Sequence, residues 1–168
     1  MGGLTALLNS TVSVRRTSVH TRGRFTLLVG MLGLAGCFTF QYGDVYTRPA
    51  AVPTAATVVL YRHDTAALAP AGKAPLPYEI NGIPSEKALN PHSYTVLLLP
   101  PGKTLFNAKT GLIDLRRESM LEPGQVYYAK ASCYYVLTEA FCKIEVVPSS
   151  VGEAETRQLR ESVGHAAR

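Results

Sequence analysis

The chain's three cysteines, Cys37, Cys133 and Cys142, are its most nucleophilic side chains, and their surroundings give them different chemistry. Cys37 ends an apolar run from Phe25 to Gly36 and follows Ala35 and Gly36, whose small side chains let a peptidase close on the backbone. A thiol at the end of such a run is a candidate point of covalent attachment, separate from the other two cysteines. Cys133 and Cys142 lie in two β-rich runs joined by a short turn. An exported chain with three cysteines leaves one thiol over. If Cys37 is acylated, the other two remain as a pair suited to an oxidising compartment.

Little else resembles reaction chemistry. The histidines are His20, His63, His92 and His165, none at a metal-ligand spacing such as HExxH, and Cys133 and Cys142 form no CxxC pair. The chain is therefore expected to need no metal and no cofactor. His63-Asp64 together with Ser93 could be a triad fragment, but no nucleophile elbow accompanies them, and loop residues at a strand end explain them as well. "PPGK" (100–103) has too few glycines to cradle phosphate and reads as a turn.

Charge divides at Cys37. Of 17 basic residues, four (Arg15, Arg16, Arg22 and Arg24) precede it with no acid among them, which leaves thirteen against 12 acidic residues. Four of the formal +5 thus belong to the leader, the rest of the chain is nearly neutral, and no nucleic-acid partner is expected. Residues 1–36 have the layout of a secretion signal, with arginines, an apolar run and a small-residue cleavage region. The run falls short of the roughly 20 apolar residues that a spanning helix needs. Leu34-Ala35-Gly36-Cys37 at its end is similar to the lipobox of bacterial lipoproteins, which implies cleavage before Cys37 and a lipid on its sulfur. Several acyl chains, at about 0.8 kcal/mol per buried CH₂, make such attachment effectively permanent. Phe38 rather than Asp follows the cysteine, which favours the outer membrane, facing the periplasm.

Past Cys37 the sequence predicts a lipidated tether over 37–55, marked by Pro49 and Pro53 and no sustained period. Residues 56–148 predict a small antiparallel β-sandwich of immunoglobulin-like or transthyretin-like type. Short β-rich runs alternate there with turn residues, and Asn81-Gly82 is a favoured hairpin turn. Residues 149–163 predict a short C-terminal helix opened by a capping box, Ser150 to Glu153. Residues 164–168 predict a disordered tail.

The last hairpin allows more detail. Alternation in 126–136 puts Tyr127, Ala129, Ala131, Cys133 and Tyr135 on one face; in 141–147 it puts Cys142, Ile144 and Val146 on the apolar face. With the turn between Leu137 and Thr138 the two cysteines lie opposite each other, close enough for a disulfide. Tyr128 and Tyr134 then point away from the core. Exposed aromatics bind sugars or proteins, and they also serve simply as strand formers capping a sheet. These two are the candidate binding surface.

The order "TVVLYR", "INGI", "SYTVLLLPPGKT" and "LEPGQVYYAKA", with a closing strand before an amphipathic helix, resembles the domain of unknown function 2846 family of lipid-anchored bacterial envelope proteins. The resemblance covers nearly all of the domain. It implies a small sandwich and no catalytic residues; the cysteine pair and the insert at 65–77 depart from it. The expected function is a lipid-anchored, non-catalytic binding or scaffolding module. Its partners would be the membrane, through Cys37, and an envelope protein or polysaccharide. The alternative is a periplasm-facing envelope hydrolase with an unrecognised active site.

Overall fold

A computed structural model describes residues 39–63, 74–110, 115–136 and 139–166. The architecture is mainly β, two packed sheets with one short helix. The strands are β1 (Thr39–Val45), β2 (Ala56–Arg62), β3 (Tyr78–Ile80), β4 (Ile83–Pro84), β5 (Ser93–Leu99), β6 (Gly102–Ala108), β7 (Arg117–Leu121), β8 (Val126–Val136) and β9 (Glu139–Val147). Helix α1 (Ser149–Thr156) and β10 (Arg160–Ala166) follow. The first sheet runs β1-β10-β5-β2-β8-β9 and the second β4-β3-β6-β7. Two pairings in the first sheet, β2 with β8 and β10 with β5, are parallel, and the rest are antiparallel.

Strand β2 shows why the sequence builds this core. All seven of its residues, Ala-Thr-Val-Val-Leu-Tyr-Arg, are buried, because it is central and both faces of its sheet are covered. Ala56, Val58 and Leu60 meet Phe106, Ala108, Leu121 and Tyr78 of the second sheet, with Ala129, Ala131 and Ile144 from their own. Val59 and Tyr61 point the other way, into a second cluster with Tyr94, Tyr128 and Leu159. A strand apolar on both faces is what a doubly covered position demands.

Turn chemistry follows the sequence closely. Asn81 and Gly82 both have positive φ, 53° and 79°, the pairing that a two-residue hairpin between β3 and β4 requires.

Both ends of the chain's described part depart from the sequence expectation. The predicted tether 37–55 is not a tether from Thr39 onward, since β1 pairs antiparallel with β10 from Thr39↔Ala166 to Val45↔Arg160. The register slips between Gln41 and Tyr42 and again before Val45, which erased any period-2 signal. Residues 46–55 then lie along the domain. The Tyr46 amide donates to the Leu159 carbonyl at 2.9 Å, and Arg48 pairs with Glu153 of α1 at 3.3 Å. The predicted helix 149–163 ends at Thr156, and the predicted disordered tail is strand as far as Ala166. Leu159 turns inward to close the second cluster, and two neighbouring strands then claim residues 160–166. The expected Ser150–Glu153 capping box does not form; Pro148 is the N-cap and no side chain caps the helix.

Gly152 fixes how closely α1 approaches the sheet. A Cβ there would overlap Cβ and Cγ of Tyr128. Helix propensity alone favours alanine over glycine by about 1 kcal/mol, but overpacking of this kind costs about 1–3 kcal/mol. Gly152→Ala is therefore expected to lower the denaturant midpoint, and a raised midpoint would show that the helix is free to shift.

Candidate functional site

Strand alternation in β8 turns Tyr128 and Lys130 to the face opposite the sandwich core, as the sequence implies, but that face is covered by α1. Tyr128 is 0% exposed, and its hydroxyl lies 2.8 Å from that of Tyr46. It therefore cannot be the exposed binding residue expected from alternation. Tyr46 also packs edge-on against Tyr94, with ring centroids 5.2 Å apart. Tyr134, farther along β8, is 44% exposed and stacks on Phe141 of β9 at 5.8 Å. It remains available at the surface.

Beside the tyrosines, Glu155 joins the helix to the sheet. It accepts hydrogen bonds from the Tyr61 hydroxyl at 2.5 Å and from Lys130 Nζ at 2.6 Å. Burial opposes ionisation of Glu155, but those two bonds and the Lys130 charge outweigh it and hold the carboxyl below its ordinary value. Burial pushes the Tyr61 and Tyr128 hydroxyls up, reinforced by Glu155 at one and Tyr46 at the other. The layer is a set of mutually satisfied polar groups pinning α1 to β2 and β8.

That arrangement sets a pH dependence. A carboxyl with a lowered folded pKa contributes stability above its ordinary value of 4.5, and the contribution is lost as pH falls through the folded value. Glu155→Gln should lower the melting temperature near neutrality, and the gap to wild type should narrow progressively as the pH falls below 4.5. A gap independent of pH would show that the ion pair contributes nothing.

The cysteine pair is as the hairpin register implies. Cys133 opposes Cys142, with Cα atoms 4.1 Å and sulfurs 2.02 Å apart. The pairing runs from Tyr128↔Val147 as far as Val136↔Glu139.

His63 and His92 lie with ring centroids 6.1 Å apart, a juxtaposition that their spacing in the chain concealed. Ser93, the imagined nucleophile, is buried and donates its hydroxyl to the Asn90 carbonyl at 2.7 Å. Asp64 and Cys37 lie outside the described residues. Among the described residues no His, Cys, Asp and Glu side chains gather into a group that could hold a metal ion, and no helix is long and apolar enough to cross a membrane.

The sequence reading missed a cleft of about 310 Å³ between β5 and the β3–β4 hairpin. Ile80, Ile83, Pro84, Leu97, Leu99 and Pro100 give it apolar walls, and no charged side chain lines it. Ile83 is 72% exposed at its mouth. The signal was the apolar run Val96–Leu99, longer than one covered face of a strand requires.

No family model, curated protein or solved structure matches the chain.

Proposed function

We propose that the protein is a lipid-anchored component of the bacterial cell envelope. It is attached through Cys37, on the periplasmic side of the outer membrane, and works as a non-catalytic binding or scaffolding module. The observation that carries this reading is Leu34-Ala35-Gly36-Cys37 at the end of the apolar run, behind a basic leader. Strand β1 begins two residues beyond Cys37, so the anchor would hold the sandwich close against the membrane and not at the end of a long tether. The two-sheet fold agrees with what the resemblance to the domain of unknown function 2846 family implies.

Support for a non-catalytic role comes from how the polar groups are used. Tyr61, Lys130 and Glu155 bond to one another, as do Tyr46 and Tyr128, and Ser93 is tied to Asn90. These bonds hold the fold together. Among the described residues, surfaces suited to recognition are the apolar cleft with β5 beside it, and Tyr134 stacked on Phe141.

Membrane fractionation of cells carrying Cys37→Ser tests the attachment. The wild-type protein should sediment with outer membranes, and the variant should lose that fraction. A variant that still sediments there rules out the lipid as the anchor. Reproducible turnover of an envelope substrate, lost in His63→Ala, would replace the module with a hydrolase.

A further inference from the structure

The edges of the two sheets are not treated alike. β9 carries Glu139, Lys143 and Glu145, β7 carries Arg117 and Glu118, and β1 carries Asp44 and two register irregularities. β4 is two residues long and ends in Pro84. Charge, irregularity, shortness and proline are the devices that stop an edge from recruiting another strand. β5 has none of them. Its sequence Ser-Tyr-Thr-Val-Leu-Leu-Leu has no charge, and β10 pairs only with Ser93 and Tyr94 before leaving it. From Thr95 to Leu99 the strand is paired with β2 on one side, and no described residue pairs with the other. Every second residue there turns an amide and a carbonyl outward.

Beyond Thr95 the side chains along that stretch are apolar on both faces. Val96 and Leu98 project outward, Leu98 being 60% exposed, while Leu97 and Leu99 form one wall of the cleft opposite Ile80 and Ile83. A strand added beside β5 would place its alternate side chains in that cleft. The occupant must then be extended, uncharged and apolar, with a free edge of its own. Among the described strands β5 itself meets all these terms. Two copies related by a two-fold axis would pair antiparallel, and one contact would close both open edges.

We propose that the protein self-associates through β5, Thr95–Leu99 of one copy pairing antiparallel with Thr95–Leu99 of a second and their leucines filling both clefts. This deepens the contact-surface part of the function proposed above and is independent of the lipid.

Single cysteines placed in turn at Thr95, Val96, Leu97, Leu98 and Leu99 of the full chain, oxidised in its own cells, test the pairing. A covalent dimer should form, strongest at the position nearest the two-fold axis, which is Leu97→Cys for a pairing centred on the free stretch. In the purified full chain in detergent, Leu98→Lys should weaken self-association about tenfold or more, because symmetry introduces the charge twice. Its side chain is exposed, so cooperative unfolding should persist. The proposal is overturned if none of the five cysteines crosslinks two copies, if they crosslink a different protein instead, or if Leu98→Lys leaves association unchanged. Failure of the Cys37 experiment would leave these outcomes untouched.

Discussion

Tyr128→Ala is expected to destabilise the folded protein by about 3–5 kcal/mol, the range for deleting a large buried aromatic. The ring is fully enclosed between β8 and α1, and its backbone neighbour across the gap, Gly152, is too close for the helix to settle into the space without moving. Truncation also leaves the Tyr46 hydroxyl without its 2.8 Å partner, and an unpaired polar group in such a place adds to the cost. Equilibrium denaturation measures the effect directly. Tyr134→Ala is the comparison, since its exposed ring should cost less than about 1 kcal/mol. Equal effects at the two positions would contradict the covered face, and with it the assignment of α1 as a lid on the sheet.

The second large effect is expected from the cysteine pair. Replacing both residues, as Cys133→Ser with Cys142→Ser, should cost about 2–3 kcal/mol, the chain-entropy value for a cross-link closing so short a loop. The sequence separation is 9, and Cys142 also anchors β9 to the neighbouring segment, its amide donating to Thr110 Oγ1 at 2.9 Å. The loss should appear in the denaturant midpoint of the double variant and equally when the wild type is unfolded with reductant. A midpoint unmoved by either treatment would mean that the thiols do not pair in solution.

How much of this was legible in the sequence depended on how local the deciding contacts are. The last hairpin could be read to the residue, because period-2 alternation and a two-residue turn fix register by themselves. The β3–β4 turn was equally plain, since Asn-Gly suits positive φ at both positions. The two ends were misread because their structure depends on each other. β1 finds its hydrogen bonds in β10, more than a hundred residues away, and neither segment has a pattern that declares a strand alone. Local signals alone favour helix and tail for residues 157–166, and pairing of 160–166 with β1 and β5 overrides them.

Tyr128 shows the same limit at the candidate site. Alternation assigned its face correctly and could not say that an eight-residue helix would cover that face. The cleft was hidden for a related reason. Val96–Leu99 is a continuous apolar run, and its neighbour β10 departs after Tyr94, with no described residue pairing beyond that point on the same side. A run more apolar than its surroundings require was the one clue, and its meaning needed the topology.

Acylation of Cys37 as the first residue of the mature protein, proposed above, can be read from the mass of the N-terminal peptide of protein isolated from its own membranes. The expected peptide begins at Cys37, is heavier by a diacylglyceryl group and carries label from palmitate supplied to the cells. An N-terminal peptide that retains Leu34-Ala35-Gly36 ahead of the cysteine, or one with an unmodified Cys37, would contradict it.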